Sequence, residues 1–254
     1  YYDDAYLKDF DAAVISCELS DDKKNTWLIE LDRTAFYPEG GGQPADSGLM
    51  YPEDDLCGVQ PVHVMDVHER SGTVYHYCDR PIRTGARIRG SIDWDERFDH
   101  MQQHSGEHIV SGMICEAFVC DNVGFHMGAD VITIDYNAEI TEKQLEIIEA
   151  AANEYIWENH EVSISWPDAK ALETIAYRSK KELSGAVRIV SFPGADTCAC
   201  CGTHVRASAE VGLIKILSCQ KFTKGSRIEL LCGKRAFEYL SICREQNRII
   251  ARAM

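Results

Sequence analysis

The sequence predicts an α+β protein in two parts: a small N-terminal β-barrel domain, then an α+β domain with an antiparallel sheet and long helices. Three observations carry this prediction. Short β-rich runs separated by turn residues fill residues 12–92, the hydrophobic period changes from 2 to 3.6 at Asp93, and the strands and helices beyond it lack regular βαβ alternation.

In the first part the runs are Val14–Leu19, Thr26–Leu31, Val62–Val67, Thr73–Tyr77 and Ala86–Ile92, with Asp21, Asp22 and Asn25 in the first turn. Several short strands at this spacing fit a small barrel. Asp93 followed by Glu96 is a capping-box-like helix start, and Phe98, Met101, Ile109, Met113 and Phe118 recur at helical intervals. The change of period places a domain boundary there, giving residues 1–92 and 93–254. Val131–Tyr136 then reads as a strand, Thr141 with Gln144 caps a second long helix through about Asn159, and Asp168 starts a third. Strands follow at Ala186–Phe192, Leu213–Leu217 and Arg227–Leu231. A terminal helix from about Lys234 carries Phe237, Leu240, Ile249 and Ile250.

A chain of 254 residues, 45% hydrophobic and 26% charged, is not a disordered one, and no apolar run approaches the roughly 20 residues of a membrane span. Its 11 cysteines, without an apolar leader, read as cytoplasmic thiols with some metal ligands among them. The start at Tyr1 and the end inside a helical pattern read as a piece of a longer protein. The net charge of −15 argues against a polyanionic partner, but the average conceals an asymmetry. Residues 1–168 carry 11 basic and 34 acidic residues, and residues 169–254 carry 15 and 7. This predicts a basic face on the C-terminal third, with ordinary solvated charge as the alternative.

His104 and His108 stand four apart on the helix predicted from Asp93, so both imidazoles share one face, as a common metal ion requires. About ninety residues later comes Cys198-Ala199-Cys200-Cys201-Gly202-Thr203-His204, a dense loop of soft and borderline ligands. Cys200 and His204 are again four apart, and with the two helical histidines they make a three-nitrogen, one-sulfur set suited to zinc. Spacing alone does not choose among Cys198, Cys200 and Cys201, nor between a closed structural zinc and a catalytic one with an open position. The third feature is the run from Phe36 to Gly48, FYPEGGGQPADSG. Gly40, Gly41 and Gly42 leave backbone N–H groups unshielded beside Gln43, which suits close approach to a ligand and equally a tight barrel turn.

Together, FYPEGGGQPADSG, the HSGEH pair, Gly124-Phe125-His126-Met127-Gly128, the CCGTHV box, Lys224-Gly225-Ser226-Arg227-Ile228 and Cys232-Gly233 resemble the AlaX family, freestanding relatives of the alanyl-tRNA synthetase editing domain. The likeness extends over nearly the whole chain, in the family's order. It implies a trans-editing deacylase for tRNA(Ala) mischarged with serine, with Gly-tRNA(Ala) as a further candidate substrate, using a zinc site. The family's HxxxH falls on His104 and His108 and its CxxxH on Cys200 and His204. Its Gly-rich motif lands on Gly40, Gly41, Gly42 and Gln43, in the accessory N-terminal domain of its medium-length and long members. One departure stands out: the family's CGGTH reads Cys-Cys-Gly-Thr-His, and the thiol of Cys201 either crowds the loop or competes as a ligand.

An aminoacyl-tRNA is an activated ester, so hydrolysis needs a presented water and a stabilised oxyanion. Glu107 is a candidate general base or a solvated surface carboxylate. Thr203, His126 and Thr133 are candidates for reading a serine hydroxyl; the alternatives are a loop cap for Thr203 and a buried structural role for His126. Lys180, Lys181, Lys221, Lys224 and Arg227 are candidate tRNA-backbone contacts. Two other readings compete. His104-Ser105-Gly106-Glu107-His108 also fits the HxxEH motif of inverted-zincin peptidases, which leaves the Cys200/His204 box unexplained. A structural zinc in a non-catalytic tRNA-binding module is the second.

Overall fold

Strand β1 (Asp9–Leu19) alternates buried Phe10, Ala12 and Val14 with solvent-facing neighbours, the period-two pattern of a strand with one face on a core. The computed structural model describes residues 1–21, 25–53, 60–179 and 185–254; Asp22, Lys180 and Lys181 lie outside these. Strands β2 (Trp27–Leu31), β3 (Gly48–Pro52), β4 (Val62–Arg70), β5 (Thr73–Cys78) and β6 (Arg87–Ile92) join β1 in a closed antiparallel barrel of order β1-β2-β5-β4-β3-β6. Phe10, Ile29, Phe36, Met50, Val64, Val67 and Ile88 fill it. Strand β3 was not expected from the sequence, because it is short, follows the Gly-rich run and ends on a proline.

Helix α1 (Trp94–Phe118) begins where the period changes. Asp93 caps it, its Oδ1 accepting from Glu96 N at 3.1 Å. The capping box stays half closed, because Asp93 N donates to Ser47 O and the Glu96 carboxylate accepts from the Ser47 hydroxyl. The chain forms two compact units, Tyr1–Phe98 and Asp99–Met254, which divide within α1.

In the second unit β7 (Asn122–Met127) and β8 (Ile132–Tyr136) form a hairpin. Helix α2 (Glu142–Glu158) has a complete capping box between Thr141 and Gln144 and ends on Asn159 in the left-handed conformation. Strand β9 (Ser163–Ser165) and a single-turn helix α3 (Ala169–Leu172), capped by Asp168, precede β10 (Ile189–Phe192) and β11 (Asp196–Ala199). Strands β12 (Ile214–Phe222) and β13 (Gly225–Cys232) lead into helix α4 (Gly233–Ala253). The antiparallel sheets have orders β12-β13-β8-β7 and β11-β10-β9. Met101, Ile109, Val110 and Ile114 of α1 are buried, as are Ile132, Ile134 and Tyr136 on one face of β8.

Candidate metal centre

Residues 104, 107, 108 and 111 recur at three and four along α1 and therefore share one face. His104, Glu107, His108 and Ser111 are all buried, and the two imidazoles stack with centroids 5.2 Å apart. The loop after β11 supplies the other half. Cys200 Sγ lies 3.5 Å from His104 Nε2 and 3.7 Å from His204 Nε2. Ligand atoms of His104, His108, Cys200 and His204 all fall within 4.8 Å of one another.

The loop is brought there by named contacts. Ser105 of the HSGEH run accepts from Val205 N at 3.1 Å, so the residue between the histidines docks the loop on α1. Arg188, buried before β10, donates Nη1 to the carbonyls of Cys200 (2.8 Å) and Gly202 (2.9 Å). Gly112 lets β11 approach: a Cβ there would sit 2.0 Å from Ala195 O. Phe125 stacks on His104 and Phe192 on His108, with centroids 5.2 and 5.5 Å away, which gives the centre an apolar wall.

The electrostatics distinguish Cys200 from Cys198. Burial acts to raise the Cys200 thiol, but His104, His204 and His108 outweigh it and hold Cys200 well below the ordinary thiol range. Cys198 has no such net help, and burial pushes it up to about 11. Burial depresses His204 to about 3. For His108 burial opposes the charged form, yet Cys200 and Asp196 overcome it and raise the group well above its usual value. The surroundings of Cys200 and His108 thus favour a thiolate beside a cation, which a divalent metal on His108 Nε2 would supply in place of a proton.

The donor set fits a divalent metal with tetrahedral taste. Zinc–sulfur and zinc–nitrogen bonds of about 2.3 and 2.0–2.1 Å at a tetrahedral angle put sulfur and nitrogen roughly 3.6 Å apart. The two separations from Cys200 Sγ bracket that value. His108 Nε2 is moreover buried with no hydrogen-bond partner among the described residues, while its Nδ1 is bound to Asp196 at 2.7 Å. A lone pair kept in this way suits a metal and costs free energy without one.

The other site candidates fall differently. Glu107 is not a solvated surface carboxylate: it is 2% exposed, and its Oε1 accepts from Ser111 Oγ and Asn122 Nδ2 at 2.7 Å each. Successive helix residues do diverge by about 100°, but Glu107 is three from His104 and so shares its face. Thr203 is buried next to His204. His126 is exposed, which removes the buried structural role, and Phe125 turns to the histidines instead. Thr133 pairs with His126 across the hairpin and lies on the β8 face opposite buried Ile132, Ile134 and Tyr136. Cys201 is outside the converging set. In the N-terminal unit, Gly40 and Gln43 exchange two backbone hydrogen bonds across Gly41 and Gly42, whose φ values of 61° and 86° make a two-residue hairpin turn. Gln43 is fully buried, and the glycines form a tight turn.

Comparison with known proteins places this geometry. Residues 11–96 match the family model described as tRNA synthetases class II (A), and residues 187–229 match that of the threonyl and alanyl tRNA synthetase second additional domain. The alanyl-tRNA editing protein AlaX-M of Methanosarcina acetivorans is 34% identical over 89% of this chain and 95% of its own length. The chain belongs to the alanyl-tRNA editing protein family. AlaX-L of Pyrococcus horikoshii is 34% identical over 95% of the chain, and Aarsd1 of Mus musculus is 30% identical over 93%. The chain spans 59% of the length of each of these two longer relatives.

This member of the alanyl-tRNA editing family meets much of the basic excess of its C-terminal third with acidic groups of its own. Arg227 is forked onto Asp135 at 2.6 and 2.7 Å and stacks on Phe222. Lys215 pairs with Glu149, Lys221 with Glu139 and Arg235 with Asp99. Among the described residues no helix is long and apolar enough to cross a membrane.

Proposed function

We propose that the chain is a trans-editing deacylase that hydrolyses the ester of tRNA(Ala) mischarged with serine, and with glycine as a second substrate, at a zinc centre held by His104, His108, Cys200 and His204. The observation that carries the reading is the convergence of two ligand pairs, about ninety residues apart in sequence, on one buried point. Family membership and the printed names of the relatives supply the substrate class. Bound zinc would supply Lewis acidity toward the ester carbonyl and toward water.

The chain's own groups take the remaining roles. Glu107 is the proton acceptor in this reading, held in place by Ser111 and Asn122. Thr203 reads the serine side chain in this proposal, and a site built to hydrogen-bond an OH rejects the analogue lacking it by about 10⁴–10⁵. Correct Ala-tRNA is spared on that account; removal of glycine, which also lacks the hydroxyl, needs a separate basis such as size exclusion of the alanine methyl. Lys221 and Lys224, with Arg227, Lys180 and Lys181, contact the RNA backbone, in the cytoplasm where tRNA is charged.

The test is release of amino acid from Ser-, Gly- and Ala-tRNA(Ala), with and without chelator. Chelator-sensitive release from Ser-tRNA(Ala), with Ala-tRNA(Ala) intact, is expected. Hydrolysis untouched by a chelator that strips the protein of zinc overturns the metal assignment. Peptide cleavage with intact tRNA esters transfers the site to the peptidase reading, and stoichiometric zinc with no hydrolysis of either kind makes it structural. KM should rise steeply with salt, and a flat response removes the basic face.

A further inference from the structure

A buried charge cluster adjoining the four candidate ligands is built on Asp196 at the start of β11. Its side chain is 2% exposed. Oδ2 meets His108 Nδ1 at 2.7 Å, and Arg178 grips the same carboxylate with a fork, Nε to Oδ1 and Nη2 to Oδ2, both at 2.7 Å. Arg178 is itself fixed by its backbone: its N donates to Thr197 O at 2.8 Å and its O accepts from Ala199 N at 2.9 Å, beside β11. Strand β11 therefore holds both partners, and it lies against α1 where Gly112 has no side chain.

We propose that Asp196 is a positioning residue for the metal centre, with Arg178 as its anchor: the pair holds the proton of His108 on Nδ1 and turns Nε2 to the metal. The inference rests on the metal reading above. Its chemistry is that of a carboxylate behind a histidine ligand, which sets the ring's tautomer and orientation and raises its basicity. Arg178 adds a constraint. Both carboxylate oxygens accept from its guanidinium while Oδ2 also accepts from His108, so the group works only as an acceptor at both atoms. In Asp196→Asn either the amide NH₂ faces a guanidinium N–H or it faces His108 Nδ1–H. One donor–donor contact is unavoidable, and the clamp that fixes the ring is weakened.

The distances offer one competing arrangement. His108, Asp196 and Cys198 also bring three ligand atoms within 4.8 Å of one another. The guanidinium already on the carboxylate speaks against a second cation there.

The experiment measures zinc affinity of the full chain by competition with a chromophoric chelator, for wild type, Asp196→Asn and Arg178→Lys. In parallel, ¹⁵N–¹H correlation spectra of the zinc-loaded protein report which nitrogen of His108 carries the proton. The expected results are one zinc per chain for wild type, a proton on His108 Nδ1, and affinity 10–100-fold weaker for Asp196→Asn. Arg178→Lys, which keeps the charge and loses the fork, should be weakened less. A wild-type chain that binds no zinc sinks the metal reading and this inference with it. Zinc bound by wild type, with both variants equal to it, overturns the positioning role alone, as does a spectrum with metal on Nδ1 and the proton on Nε2. Should Asp196→Asn fail to fold, Arg178→Lys and the wild-type spectrum still decide.

Discussion

Asp46 closes the Gly-rich run, and its loss is predicted to loosen the N-terminal unit rather than to touch catalysis directly. Its carboxylate and the guanidinium of Arg97 are both fully buried. Arg97 Nε lies 2.9 and 3.1 Å from the two carboxylate oxygens, and Arg97 also donates to the carbonyls of Ala5 and Ala35 at 2.7 Å. Oδ2 accepts from Tyr37 N at 2.6 Å as well. Asp46→Ala leaves a buried guanidinium without its counter-charge and a buried N–H without its acceptor, a defect of about 3–5 kcal/mol. Against a total domain stability of roughly 5–15 kcal/mol, that is about a fifth or more. Two compact units need not unfold together, so a single global melting curve is the wrong measurement. Hydrogen exchange followed by mass spectrometry, on peptides covering residues 35–50, should show protection reduced by about 10² to 10⁴. Adding Arg97→Met should recover most of it, because an apolar replacement of a buried pair is often neutral. Protection within tenfold of wild type in Asp46→Ala would refute the assignment of Asp46 as the unit's internal lock.

Other outcomes follow from the same structure. His76 is buried, with Nδ1 on Ile29 O and Nε2 on the Thr34 hydroxyl, and burial depresses it to about 4. The unfolded chain binds this proton near 6.5 and the folded one only near 4. Its full contribution is therefore present above pH 6.5 and is lost as pH falls to 4, by about 3 kcal/mol; exchange protection of β2 and β5 should fall across that window in wild type and less in His76→Gln. Gly112→Ala sets a methyl 2.0 Å from Ala195 O and must push β11 from α1. A stability loss of about 1–3 kcal/mol by urea titration and weaker zinc binding are expected, and an unchanged zinc affinity would separate β11 from the centre. Cys200→Ala should abolish tight zinc binding, whereas Cys201→Gly, which restores the family's residue, should leave it within about threefold; the reverse ranking, read by chelator competition, would exchange their roles.

Much of the architecture was legible because each element carries its own local reason. Thr141 and Gln144 close the predicted capping box, and Asp168 caps a helix where one was expected, though of a single turn. The residues behind the site were less legible. The i, i+4 pairs name His104, His108, Cys200 and His204, but nothing in the spacing of Asp196, Arg178 or Arg188 announces that β11 and the segments before it hold them in place. Those are pairings between distant parts of the chain, set by sheet register and by the missing side chain at Gly112. The charge asymmetry was only partly legible for a related reason. A count along the chain registers fifteen basic residues in the last third, while folding sets Arg227, Lys215, Lys221 and Arg235 against Asp135, Glu149, Glu139 and Asp99 from earlier in the sequence.

The HSGEH run is where two chemistries share one string, and the surroundings of Glu107 separate them. A peptidase of the HxxEH type needs a further carboxylate as third ligand beside its two histidines. Here the groups that meet His104 and His108 are a thiol and an imidazole, and the carboxylate of Asp196 is occupied by Arg178 and sits behind His108. Glu107 is meanwhile tied at one oxygen by Ser111 and Asn122, and Ser111 in turn meets Tyr136 Oη at 2.8 Å. That chain of hydroxyls links a buried carboxylate on α1 to the end of β8. In the proposed deacylation a carboxylate so placed would accept a proton while its partners hold it buried, which suits an already activated ester better than an amide, whose poorer leaving group depends more on protonation. Replacing Glu107 with Gln separates two demands. Deacylation that survives within about tenfold leaves the ester's own reactivity and the centre to do the work, and a loss of 10²-fold or more with zinc still bound makes Glu107 the base.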